Sequence, residues 1–208
     1  MSYFLGAPRK VPKIPMSPRQ IVLNRDLVEM EQLKTESSIM EFQVSGKPPD
    51  HYKIVFHGKS LVPDQNRQPM VGNRQELEIV MGNEYPRSMP QVTWRTVIMH
   101  PNISRSGNVC FGNFSSQWTP SFHLTELVEI LWDYSRLKTL NASHGNYGGW
   151  GVNWAELEKR FFPRGEGVDE RALRSKLVGK NKGSSLAAPP AAAGETVIFP
   201  DDPDRCQT

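Results

Sequence analysis

In this sequence of 208 residues the side chain best suited to covalent chemistry is Cys110, because of the block that leads into it: His100-Pro101-Asn102-Ile103, then Gly107-Asn108-Val109-Cys110. A cysteine near a strand end is by default a small inert hydrophobe. Here it stands eight residues after an asparagine, on a segment rich in small and polar residues. The thiolate is the reacting form, and with a reference pKa of about 8.5 some of it exists at neutral pH without a dedicated base. When a nucleophile attacks an acyl group, negative charge develops on the carbonyl oxygen, and a fixed amide such as that of Asn102 can stabilise it. One donor of this kind is worth about 3 to 4 kcal/mol in well-studied hydrolases. Pro101 restricts the backbone between the two polar residues, and His100 is expected to tie the loop down by hydrogen bonds.

Other chemistries find less support. The five histidines and two cysteines show no paired spacing such as C-x-x-C or H-x-x-x-H, so no metal site is expected. A cysteine hydrolase using Cys110 with His100 or His144 would need a residue to orient the imidazole, and none is evident. The second cysteine, Cys206, lies in a polar tail with no core to hold a bridge, so two free thiols in a reducing compartment are expected. The formal net charge of +3 is small and its basic residues are scattered, which gives no case for nucleic acid. No run of about 20 apolar residues and no secretory leader is visible, so no membrane role and a cytoplasmic location are expected.

The elements that must position the block follow from periodicity. Residues 1–16, with three prolines and Arg9, Lys10 and Lys13, read as a flexible basic arm. Ser17, Pro18 and Gln20 form an N-cap, a first-turn proline and a capping-box partner, and Leu23, Leu27, Met30 and Leu33 continue one apolar stripe. The period then falls to two. Met40, Phe42 and Val44, then Tyr52, Ile54 and Phe56, then Leu77, Ile79 and Met81 predict three strands, with a turn at Lys47-Pro48-Pro49-Asp50 and a loose loop before the third. Val92 to Met99 predicts a fourth strand, and His100 to Pro120 an irregular loop of the sort that carries function. Helices follow through Leu124, Leu127, Val128, Leu131 and Trp132, and from an Asn153 cap through Trp154, Leu157 and Phe161. Residues 163–208, charged and then rich in Gly, Ser, Ala and Pro, are expected to be largely disordered. The order is that of an α+β domain over residues 17–162, helices covering a four-stranded antiparallel meander.

The block at Cys110 resembles the His-Pro-Asn motif and nucleophilic cysteine of the ubiquitin-conjugating enzyme family. Two further landmarks agree: Tyr85-Pro86 with Met89-Pro90 and Val92 is similar to that family's proline-rich loop before the fourth strand, and Gln117-Trp118-Thr119-Pro120 to its Gln-Trp-Ser-Pro segment. The resemblance spans roughly Ser17 to Lys138. It fades where the family has an Asp- and Pro-rich connection and this chain has Asn141-Ala142-Ser143-His144-Gly145-Asn146-Tyr147-Gly148-Gly149-Trp150. That departure marks a divergent member, and a bacterial ubiquitin-like pathway is one setting it suggests.

The resemblance implies a carrier that takes a ubiquitin-like protein from an activating enzyme as a thioester on Cys110 and passes it to an amine, with a ligase and a protein substrate as further partners. It implies Asn102 as catalytic amide or loop organiser, His100 and Pro101 as structural, and Trp118 as a packing anchor. Asn141, Ser143 and His144 are the candidates for a polar group beside the thiol. Arg19 and Arg25 are candidates for docking the activating enzyme, and Pro86 and Pro90 for presenting a ligase surface. No cofactor is implied for this chain, since ATP is used by the activating enzyme. The alternative is a non-catalytic adaptor of the same fold that binds ubiquitin-like proteins or a ligase complex.

Overall fold

The computed structural model describes residues 15–139, 149–165 and 167–176. The elements run α1 (Pro18–Glu36), β1 (Met40–Gly46), β2 (Pro49–Phe56), β3 (Ser60–Pro63), β4 (Pro69–Gly72), β5 (Gln75–Val80), β6 (Gln91–Trp94), α2 (Phe114–Gln117), α3 (Leu124–Ser135) and α4 (Trp154–Phe161). Helix α1 starts where its cap predicts: the Gln20 backbone N–H donates to Ser17 Oγ at 3.2 Å, and the Ser17 N–H donates to Gln20 Oε1 at 2.8 Å. Leu23, Met30 and Leu33 on its inner face are fully buried, while Leu27 sits at the rim of the core.

Asp26 is fully buried on that same face. Burying a carboxylate costs several kcal/mol unless its lone pairs are satisfied. Here the Tyr85 hydroxyl donates to it at 2.5 Å and the Arg25 guanidinium at 2.8 Å, so α1 is bolted to the turn before β6. Burial and the Asp26 charge together push the Tyr85 hydroxyl well above the usual phenol range, which keeps it a donor.

The main sheet has the strand order β1-β2-β5-β6, antiparallel throughout. One line of residues, Phe42, Ile54, Leu77 and Trp94, crosses all four strands in register, and Val44, Tyr52, Ile79 and Val92 form the next. Every member of the first line is buried, so a slip of one residue would turn that set to solvent. Helices α1 and α3 cover this face, and Leu124, Leu127, Val128 and Leu131 of α3 are fully buried against it.

Four expectations change. The loose loop between β2 and β5 holds a hairpin, β3 with β4, whose turn is closed by Asp64 Oδ1 accepting from the Asn66 and Gln68 N–H groups. Leu61 of this hairpin joins Met99, Leu137, Trp154, Leu157 and Phe162 in a second small core. The fourth strand stops at Trp94, because the Arg95 and Thr96 N–H groups both turn to the Glu76 carbonyl; Ile98 and Met99 are buried outside the ladder. Within the irregular loop, 114–117 forms the short helix α2. Finally, the folded unit does not end at Phe162. Residues 167–176 strap across it, with Leu173 only 3% exposed in the main core, the Trp132 indole donating to the Arg171 carbonyl at 2.8 Å, and the Lys59 N–H donating to Asp169 at 2.8 Å. A strap held by one leucine and several ion pairs is too polar to announce itself by composition.

Candidate active site

The chain from His100 to Cys110 folds into a miniature hairpin. His100 bridges Ile103, and Ile103 bridges Val109. Its tip is closed by the Ser104 N–H to the Asn108 carbonyl and the Gly107 N–H to the Ser104 carbonyl, both at 2.9 Å. The hairpin is docked on the sheet at Gly107, whose carbonyl accepts from the Trp94 N–H at 2.8 Å. Gly107 has φ +89°, and a β-carbon there would overlap the Trp94 carbonyl oxygen. Only glycine meets both demands.

This geometry puts Cys110 beside Asn102: the Cys110 N–H donates to the Asn102 carbonyl at 2.8 Å. The Asn102 N–H in turn donates to His100 Nδ1 at 3.0 Å. Since Nδ1 accepts, the ring proton belongs on Nε2, which donates to the Thr139 carbonyl at 3.3 Å. His100 is fully buried, and loss of hydration pushes its pKa down to about 3, so the ring is neutral with both nitrogens committed. A hydrolytic Cys110–His100 dyad therefore has no base to use. Asn102 is buried at 3% exposure, and Pro101 is buried with it.

Cys110 is 6% exposed and is disulfide-bonded, which corrects the expectation of a free thiol. The sequence holds one other cysteine, Cys206, which lies outside the described residues.

The remaining candidates divide. Trp118 is buried and its indole N–H donates to the Pro86 carbonyl at 2.9 Å, locking the Gln117–Pro120 segment to the Tyr85–Pro90 turn. Pro90 is buried and Pro86 half-buried, so the exposed groups of that turn are Arg87 and Ser88. Arg19 donates to the Met81 carbonyl at 3.0 Å and pairs with Asp50 at 3.3 Å, and Arg25 is held by Asp26 and Glu29. Arg19 thus staples α1 to the β1–β2 turn and the end of β5, whereas Arg25 pairs within the helix; the solvent face of α1 shows Ile21 and Val28, 54% and 68% exposed, which a search for charge passes over. Asn141, Ser143 and His144 lie outside the described residues. Among the described residues no group of three or more His, Cys, Asp or Glu side chains is arranged to hold a metal ion, and no helix is long and apolar enough to cross a membrane.

Two residues that the sequence reading passed over meet at this site. Tyr134, at the end of α3, stacks on His100 with ring centroids 5.1 Å apart and planes at 18°, and on Phe111 at 6.0 Å and 26°. An aromatic on the helix stripe reads as ordinary core, and only the fold reveals that it faces the loop.

An antiparallel meander backed by helices, with a cysteine beside an asparagine on a loop pinned to the last strand, defines an α+β domain. The family model described as ubiquitin-conjugating enzyme matches residues 23–144, and the chain belongs to that family. It is 32% identical over 92 residues to ubiquitin-conjugating enzyme E2 16 of Schizosaccharomyces pombe, covering 42% of this chain and 58% of that protein. It is 29% identical over 99 residues to ubiquitin-conjugating enzyme E2 N of Drosophila melanogaster, covering 46% and 64%. The chain thus spans less than two thirds of the length of these curated relatives. Among solved structures it is similar to a ubiquitin-conjugating enzyme of Plasmodium yoelii, at 21% identity and TM-score 0.47 over 71% of this chain and 92% of that one. It is also similar to Ubc12 of S. cerevisiae, at 22% identity and TM-score 0.43 over 58% and 64%.

Proposed function

We propose that this protein is an acyl carrier that holds the C-terminus of a ubiquitin-like protein as a thioester on reduced Cys110 and delivers it to an amine. The observation that supports the reading is the backbone bond between Cys110 and Asn102, which puts the cysteine next to the buried Asn102 in a chain of this family. In the loading step the Cys110 thiolate attacks the carbonyl carbon of a modifier carried as a thioester by an activating enzyme, and that enzyme's C–S bond breaks to release its thiolate. In the delivery step an amine nitrogen attacks the same carbon, the bond to Cys110 breaks, and the amine proton passes to solvent. Asn102 stabilises the oxyanion or holds the loop that does so. The neutral, fully bonded His100 organises that loop and moves no proton. Cys110 must be reduced to react, which fits a reducing compartment such as the cytoplasm.

The test mixes the reduced protein with an activating enzyme, ATP and a ubiquitin-like protein. A reductant-sensitive adduct is expected on the natural sequence, none on Cys110→Ala, and a reductant-resistant ester on Cys110→Ser. The same adduct on natural sequence and Cys110→Ala would end the carrier reading. The absence of any adduct, with modifier binding intact in Cys110→Ala, would point to the adaptor instead.

A further inference from the structure

We infer that Tyr134 is a positioning residue for acyl transfer, its ring braced by Phe111 and acting through His100 on Asn102. The inference rests on the carrier reading and adds a residue on a different element. The end of α3 and the turn that follows it grip the His100 ring twice. Tyr134 stacks on its face at 5.1 Å, and the Thr139 carbonyl accepts from its Nε2–H at 3.3 Å. The opposite ring nitrogen, Nδ1, holds the Asn102 N–H, and the Asn102 carbonyl holds the Cys110 N–H. Phe111, the next residue, stacks on Tyr134. His100 and Phe111, the two ends of the catalytic segment, therefore lean on one tyrosine ring.

That ring is well founded. Tyr134 is 9% exposed, and the helix beneath it is fixed by Leu127, Val128 and Leu131, all fully buried. Each aromatic pair contributes about 0.5 to 1.5 kcal/mol beyond its buried area, and edge or offset geometry makes it directional. Directionality matters here because small misplacement of a donor costs far more rate than stability. Burial raises the hydroxyl to about 12, so it stays protonated at neutral pH; its role is that of a ring, and phenylalanine should replace it.

The experiment needs no activating enzyme. Reduced full-length protein is loaded by exchange with a short peptide thioester ending in Gly-Gly, the peptide carbonyl moving to Cys110 and the small thiol leaving. Free lysine then discharges the adduct, followed by intact mass over a range of lysine concentrations. Tyr134→Phe should discharge within about twofold of the natural sequence. Tyr134→Leu should load to completion yet discharge at least tenfold more slowly at saturating lysine, with the half-saturating concentration unchanged. Asn102→Ala should be similarly slow, and the double variant Asn102→Ala with Tyr134→Leu no more than about twofold slower again, because the tyrosine acts through the asparagine. Phe111→Leu, which removes the other end of the stack and leaves α3 intact, should repeat the defect, so the inference stays testable if Tyr134→Leu does not fold.

Discharge by Tyr134→Leu or Phe111→Leu at the natural rate while Asn102→Ala is slow would overturn this inference and leave the carrier reading standing. Multiplicative losses in the double variant would overturn it too, since Tyr134 would then act independently of Asn102. If Asn102→Ala itself discharged at the natural rate, the asparagine's role under the carrier reading would fall first, and the positioning role with it.

Discussion

The neutral His100 makes a quantitative demand on the pH dependence of folding. Its pKa is pushed down to about 3 in the folded state, against about 6.5 for an exposed histidine. Between those values the unfolded chain binds a proton that the folded chain refuses, so stability from this group is present above pH 6.5 and is lost as pH falls toward 3. From pH 7 to pH 5 the loss is about 2 kcal/mol, nearly all of it set by the unfolded histidine; a folded value of 4 in place of 3 would change it by less than about 0.1 kcal/mol. For a chain of this size that corresponds to a fall in Tm of about 4 to 8 °C. Urea unfolding of the natural sequence and of His100→Asn, which keeps an acceptor near Nδ1 and cannot titrate, separates this histidine from all other groups. The natural sequence should lose about 2 kcal/mol more than the variant between pH 7 and 5. Equal losses, within about 0.5 kcal/mol, would refute a histidine held neutral under the loop that carries Asn102 and Cys110.

Three further outcomes follow from the packing. Gly107→Ala must place a side chain at φ +89° against the Trp94 carbonyl, so urea unfolding should show a loss of at least about 2 kcal/mol, with slower lysine discharge. Leu173→Ala should cost about 2 to 5 kcal/mol in the same assay if the strap is integral to the fold, and under about 1 kcal/mol if it is not. Protein purified without reductant should load poorly until reduced, because Cys110 is bridged, and full loading without reductant would show that its sulfur is free.

Much of this was legible in the chain itself. Period-two alternation identified the strands of the main sheet because Phe42, Ile54 and Leu77 each face one core and nothing else, and the α1 cap was readable because its two bonds are local. The β3–β4 hairpin was not, since its four-residue strands leave Met70 and Val71 exposed and bury Leu61 against residues some 40 to 100 positions away. Cys110 and Asn102 stood out because their partnership lies within one short segment. Tyr134 did not, because its partners are 34 and 23 positions back along the chain and its spacing is that of any core aromatic on a helix. The fold also gives Arg19 partners that its helix position does not announce, because the carbonyls of Met81 and Gly82 lie more than 60 positions along the chain.

The docking of Gly107 onto the Trp94 backbone has a mechanical result. Because the miniature hairpin continues the hydrogen-bonding of β6, warping of the sheet carries the sulfur and its neighbouring amide along together, as a door carries its latch.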